Sequence, residues 1–454
     1  MNVLLAIFGF MLIVITMTLL LKGKVSPAVV LIAVPVATGV LVSYIASFME
    51  GNVPLSEVFG TLTGYIKTGV EGTTGNAVLL MFSVLFFGVM SDVGVFDVIV
   101  NAILKKAGNH VIAITVATSV IAIIAHLDGA TVTTVLITIP ALYPIYKKMN
   151  MRPQTLLLLT AASMGVMNLV PWGGPTVRAA TVLGMDANDL WMMLIPMQVV
   201  GLVCSIGLGV VMGILEKKRG AGLLAGDTNT SLLSEAEQEK ANTKKQELLR
   251  PKNFIFNILL LVALILSLVF DLGPAYVLFM IALALILIVN YPSMKMQDSR
   301  IKDHAAGAIL ISATMLAAGA FVGILDGTGM LEAMTNVLLS FIPNSLGKYI
   351  HIIFGILGLP LGMVTGTDAY FYGIMPLVMK VGESFGVSGL NTALAMLLGK
   401  NVSLMISPMV PATFLAIGLV DLELKDHIKF GFKWLFGKSL ILVASGVVMG
   451  LIAI

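Results

Sequence analysis

Long apolar runs broken by short polar clusters set the pattern of this chain. Runs of this kind cover 3–21, 26–48, 74–93, 190–214, 253–270, 275–291, 304–325 and 432–453. A helix crossing the hydrocarbon core needs about 20 largely apolar residues, so each run predicts a transmembrane helix. Two more stretches, 153–184 and 391–420, are long enough to cross but are polar in the middle and interrupted by Pro and Gly. They predict broken helices and bring the count to ten crossings. Two segments are left over, 109–147 and 349–379. Each is an apolar arm, a Gly/Thr/Asp-rich turn and a second arm containing Pro, and neither arm is suited to cross alone.

The charges decide how the first leftover segment lies. Lys105 and Lys106 precede it, and Lys147, Lys148 and Arg152 follow it. Both ends therefore prefer the cytoplasmic side. A segment that begins and ends on one side is a re-entrant hairpin. Its turn then sits at membrane depth, where non-helical backbone is tolerated only if it is buried in protein or lines a cavity. Treating 349–379 the same way, with both termini extracellular, places most of the 27 Lys and Arg on cytoplasmic segments. The expected location is the plasma (inner) membrane, in contact with lipid. The first run has no basic residue before it and no small-residue cleavage site after it, so it reads as a retained span.

Composition agrees with this picture. Hydrophobic residues make up 58% of the 454 and charged residues 11%, against roughly a quarter charged in a soluble domain. The net charge of +3 is topological and implies no nucleic-acid partner. Cys204 is the single cysteine, which excludes an intrachain disulfide. The stretch 216–252 is the one soluble-looking segment and reads as a cytoplasmic linker, with a short helix signal at Ser234 and Glu237. An enzyme is not expected. The sequence has no His-Glu-x-x-His, the Gly-x-Ser-x-Gly match at 382–386 follows no strand, and "FGKS" lacks the first glycine of a phosphate loop.

The chain also repeats itself. "FGVMSDVGVFDVIVN" (87–101) matches "VGILDGTGMLEAMTN" (322–336) at an offset of 235, pairing Gly94 with Gly329 and Asn101 with Asn336. At an offset of 236, Thr131 meets Thr367, Pro140 meets Pro376 and Pro175 meets Pro411. The first hairpin opens from the cytoplasm and the second from outside, so the repeats are inverted. The predicted fold is an all-α polytopic membrane protein with about ten transmembrane helices and two re-entrant hairpins in two inverted-topology repeats. Residues 1–215 form the first half, 216–252 the linker and 253–454 the second half. Secondary transporters are built this way, with the site where broken helices meet.

Four interruptions should then converge: "HLDGATVTT" in the first hairpin, "MNLVPWGGPTVRAA" in the first broken helix, "VTGTDAYFYG" in the second hairpin and "GKNVSLMISPMVPAT" in the second broken helix. Broken helices present unpaired N–H groups and partial positive charge, an anion site. Hydroxyls and amides of Thr131, Thr133, Thr134, Asn168, Thr176, Thr367, Asn401 and Ser403 can add hydrogen bonds, and Gly173 and Gly174 open the break. Arg178 costs about 2.5 to 3.5 kcal/mol at a helix centre on insertion scales. It reads either as a carboxylate clamp or as a structural partner of Asp128 or Asp368. Lys400 has the same two readings. Asp128 and Asp368 beside an anion site imply a cation, either a hard divalent ion or a proton. His126 is a candidate for coupling or for a structural hydrogen bond. Asp92 and Asp326 read as helix-end caps.

At "PWGGPTVRAA" the sequence resembles the citrate–divalent metal–proton symporter (CitMHS) family of the ion transporter superfamily. "FFGVMSDVGVFD", "LDGATVTTVLITIPALYPIYKK", "GTDAYFYGIMP" and "SPMVPATFLAIGLVDLELKDHIKF" follow the family's order. The resemblance implies secondary active uptake of citrate, or a related di- or tricarboxylate, as a complex with a divalent metal such as Mg, coupled to protons. Another carboxylate, or Na+ coupling, is the alternative. It implies no prosthetic group, and the superfamily supplies a homodimer by analogy. One position departs from the pattern: Ala130 stands where the family often has a second acid.

Overall fold

The computed structural model describes residues 2–50, 54–108, 110–222 and 246–453, and the described residues are helical without strands. The linker's helix signal at Ser234 and Glu237 lies outside the described residues. Nine described helices are long and apolar enough to cross a membrane, against the ten crossings expected. They include Asn2–Lys22, Ala187–Lys218 and Leu424–Val448, and also Val111–Asp128, an arm of the first leftover segment that the sequence pattern had set aside as unsuited to cross alone. Pro153–Met167, Ala275–Asn290 and Met330–Leu339 are shorter apolar helices. The chain is thus a multi-pass membrane protein.

Two helices are much longer than the apolar runs that announced them. The run at 74–93 is the end of the 38-residue helix Leu55–Asp92, and the run at 304–325 belongs to the 34-residue helix Met294–Gly327. Their polar first halves hold no proline after the first turn, so the helical ladder continues. Each long helix ends at a left-handed glycine, Gly94 (φ 84°) or Gly329 (φ 74°), and an amphipathic helix follows, Val95–Ala107 or Met330–Leu339. A residue with a Cβ adopts this conformation only with strain, and glycine without it.

The repeat is visible in the element order. Asn2–Lys22, Pro27–Glu50 and Leu55–Asp92 recur as Phe254–Val269, Ala275–Asn290 and Met294–Gly327. An interrupted pair, a broken helix and a long closing helix then follow in each half. The two long helices pack along their length. Tyr65 lies against Gly323 and Gly327, Gly69 against Gly319, Gly88 against His304, and Ser312 Oγ donates to Ala77 O at 2.9 Å. As one number rises the other falls, so these equivalent helices run antiparallel. Ala77 and Ser312 are 235 residues apart, the repeat offset itself, so a pseudo-twofold axis passes between them. An axis that reverses a membrane-crossing helix lies in the membrane plane, which is the relation inverted repeats require. The crossing is close because glycine faces glycine: a Cβ added to Gly319 would stand 2.5 Å from Gly69 O.

Polar ties hold one end of this assembly. Asp92 Oδ2 accepts from Arg300 Nη1 at 3.1 Å and lies 2.9 Å from His304 Nε2, so it joins the two long helices rather than capping its own. Leu249 packs on Gly94, and Arg250 N donates to Val93 O at 3.2 Å, which seats the linker's end on the same corner. The linker's start is more ordered than a solvated run. Glu216 is fully buried and accepts from Arg152 Nε and Thr155 Oγ1, each at 2.6 Å, and from Arg219 Nη2 at 3.0 Å.

Candidate functional site

The four interruptions are local consequences of residues that do not fit a continuous helix. In the first, Val111–Ala125 passes through the short turn His126–Asp128 to left-handed Gly129 (φ 69°), and a new helix, Thr131–Lys148, begins. In the second half, Gly358–Thr365 ends at Gly366, whose φ 73° and ψ −175° fall in a region open essentially to glycine. The first broken helix stops at Met167 and restarts at Gly174–Leu183 with a proline in its first turn. The second stops at Lys400, passes through the 3₁₀ segment Asn401–Ile406 and restarts at Pro411–Leu419.

These interruptions meet around one cavity of about 630 Å³. Gly129, Ala130, Thr131 and Val132 line it from the first turn, and Asn168, Gly174, Pro175 and Arg178 from the first break. Thr365 to Ala369 line it from the second turn, and Leu404 and Pro408 to Ala412 from the second break. Three helix starts on this wall, at Thr131, Gly174 and Pro411, have no side-chain cap. Their first-turn N–H groups and dipoles leave the cavity electropositive.

Each turn is tied to the break of its own repeat. His126, fully buried, lies 2.6 Å by Nδ1 from Thr134 Oγ1 and 3.0 Å by Nε2 from Asn168 Oδ1. Trp172 Nε1 donates to Leu127 O at 2.7 Å. In the second repeat, Lys400 Nζ donates to Thr367 Oγ1 at 3.0 Å, and Ser407 Oγ donates to Met363 O at 2.7 Å. One bond at the cavity crosses between repeats: Arg178 Nε donates to Asp368 Oδ1 at 2.7 Å, while Arg178 Nη1 donates to Gly174 O at 3.0 Å.

The expected site residues thus separate into two groups. Thr131, Asn168, Gly174, Arg178, Thr367 and Asp368 line the cavity. Among the described residues, Asn168 Nδ2 has no hydrogen-bond partner, and it is buried just behind the wall. The remainder stand behind it. Asp128 accepts from Ala130 N at 2.8 Å and from Thr133, an aspartate capping the turn it belongs to. Thr134 braces His126, and Thr176 Oγ1 donates to Asn168 O at 2.9 Å. Gly173 has no room for a side chain, since a Cβ would stand 2.9 Å from Val170 O. Lys400 is fully buried, its Nζ 5.0 Å from the Phe371 ring centre. Asn401 and Ser403 are buried, with side-chain atoms that lack partners among the described residues.

Sequence reasoning missed part of the wall. Leu20, Leu21 and Pro27 reach it from the first two helices, Gly23 from the turn between them, and Ile311 from a long helix. These are ordinary apolar positions with no local signal. Ser407 stands behind the wall, where it ties Met363 to the second break, and the offset of 236 sets it opposite Pro171 in the first break. Lys438 was passed over too. It is buried in the last helix and donates to Ala162 O at 2.6 Å and to Ser205 Oγ, joining the halves behind the breaks.

An all-helical membrane protein in which the interrupted helices of both repeats enclose one cavity has the build of a secondary transporter. The family model described as citrate transporter (CitMHS) matches residues 3–399, and the chain belongs to that family. It is 34% identical to a Bacillus subtilis protein named citrate transporter, over 99% of this chain and 100% of the relative. A second B. subtilis relative, named Mg(2+)/citrate complex secondary transporter, is also 34% identical, over 99% of each chain. Among solved structures, the Neisseria gonorrhoeae MtrF transporter superposes with a TM-score of 0.62 at 11% identity, covering 92% of this chain and 94% of that one. The Alcanivorax borkumensis YdaH transporter gives 0.54 at 15% identity, covering 87% and 89%. These two likenesses concern the fold.

Proposed function

We propose that this protein takes up citrate as a complex with a divalent metal such as Mg, by secondary active transport across the plasma membrane and coupled to protons. The observation that carries the reading is the cavity at which Arg178 and three uncapped helix starts converge, with Asn168 in its wall. Such a surface suits a multivalent carboxylate. The metal travels as cargo, with no prosthetic group involved and no reaction catalysed. The two helix–turn–helix segments act as hairpins entering from opposite sides, and the termini face outward. The antiparallel long helices and the cytoplasmic weight of the lysines and arginines support that arrangement.

Uptake of labelled citrate into proteoliposomes tests this, under an imposed pH gradient or an imposed Na+ gradient, with Mg, Mn, Ca, Zn or no metal. Uptake that exceeds equilibration only with the pH gradient, and requires metal, is the expected result. Absence of citrate uptake under every metal, together with uptake of another dicarboxylate, overturns the substrate. Accumulation driven by Na+ alone overturns the coupling ion.

A further inference from the structure

The Arg178–Asp368 pair has a particular incompleteness. A guanidinium and a carboxylate that meet side by side share two parallel hydrogen bonds. Here they share one, Nε to Oδ1 at 2.7 Å, while Nη1 is turned to Gly174 O. Among the described residues, Asp368 Oδ2 and Arg178 Nη2 carry no hydrogen bond. Both side chains line the cavity, and they are 12% and 19% exposed, so water or a ligand reaches them. They are also the charged residues among those that line it, since Lys400 and Asp128 do not.

We propose that this half-made pair is a split receptor for a ligand carrying both charges, in which a carboxylate of the ligand takes Arg178 and its divalent cation takes Asp368. The inference rests on the metal–citrate reading and assigns its two halves to two residues. A free tricarboxylate that engages Arg178 leaves Asp368 as an uncompensated neighbour and is repelled. A free metal ion at Asp368 leaves Arg178 in the same position. The complex satisfies both at once, and a hard divalent ion accepts a single protein carboxylate when substrate and water oxygens complete its shell. Because Arg178 belongs to the first break and Asp368 to the second turn, the ligand replaces a direct bond between the repeats with a bridge through itself. Occupancy is thereby reported to both halves at one point. The metal requirement, on this account, is a charge requirement of the Arg–Asp pair.

Binding, not transport, tests this. Purified protein in detergent is titrated with labelled citrate in EDTA, with Mg or Mn present, and with the metal alone. Wild type is expected to hold metal–citrate at least about tenfold tighter than citrate in EDTA. Asp368→Asn removes the negative charge at the same size and should bind citrate in EDTA as well as in metal, within about twofold. Asp368→Glu should restore the preference. Arg178→Gln should lose citrate in both conditions. Wild type that binds citrate equally with and without metal overturns the inference and leaves citrate transport standing. Asp368→Asn that stays monodisperse and keeps the full metal preference overturns it too. Wild type that binds no citrate under any condition overturns the proposed function itself, and the inference with it.

Discussion

Gly69→Ala and Gly72→Ala add the same methyl group to the same helix one turn apart, and they should move stability in opposite directions. At Gly72 a Cβ meets nothing within 4 Å among the described residues. At Gly69 it runs into Gly319 O and lies 2.9 Å from Gly319 C and 3.0 Å from Gly323 Cα. Carbon contacts are comfortable at about 3.5 to 4.0 Å, so the long helices must part by about 0.5 to 1 Å, which forfeits a quarter to a half of each contact's attraction. The obstructing atoms are backbone and cannot rotate away. Both variants gain about 0.5 to 1 kcal/mol from replacing a helical glycine, and that gain cancels in the comparison. The difference between them is therefore the overpacking cost, about 1 to 3 kcal/mol. Detergent-solubilised protein would be heated and the monodisperse fraction followed by fluorescence-detected size exclusion. Unfolding of such proteins is irreversible, so the order of the half-loss temperatures is what carries meaning. Gly72→Ala should lie at or above wild type and Gly69→Ala clearly below it. Equal shifts would mean that the helices do not cross at Gly69, and the pseudo-twofold placement at Ala77 and Ser312 would fall with that contact.

Other outcomes follow from single sites. Gly366→Ala forces a side chain into backbone angles essentially reserved for glycine and should cost about 1 to 3 kcal/mol, read as lowered thermal stability together with lost citrate binding. Glu216→Gln leaves Arg152 and Arg219 without their carboxylate. With those arginines 33% and 36% exposed, the loss should fall near about 1.5 to 3 kcal/mol, measured by the same heating assay. Lys438→Met removes a buried ammonium that has no carboxylate partner among the described residues. It should leave thermal stability equal or higher while uptake in proteoliposomes drops, because an intramembrane charge of this kind is functional by default.

How much of this was legible in the sequence differs from element to element. Most of the apolar runs, the repeat at offsets of 235 and 236, and the four interruptions were readable, because hydrophobic length and the conformational demands of Gly and Pro act locally. The count of ten crossings was not, since nine described helices are long and apolar enough and Val111–Asp128 is one of them. Gly129 and Gly366 break their helices through their own backbone angles, and Pro175 and Pro411 restart them. The length of Leu55–Asp92 was not readable, because its first half is polar enough to pass for a loop and is held by an antiparallel partner remote in the chain. The reading of Asp92 as a cap failed for the same reason, since its partners are Arg300 and His304.

The aspartate that looked most out of place, Asp128, shows where the boundary lies. Sequence alone determined that it stands at the break between two helices of the first repeat. It also determined that Arg178 and Asp368 belong to interruptions of opposite repeats, since that depends only on order along the chain. Only the tertiary structure decided that Asp128 folds back onto Ala130 and Thr133 while Asp368 reaches the cavity and meets Arg178 at 2.7 Å. The reason is physical. A hydrogen bond is made within about 3 Å and cannot be inferred from a separation of 190 residues until packing brings the two chains together.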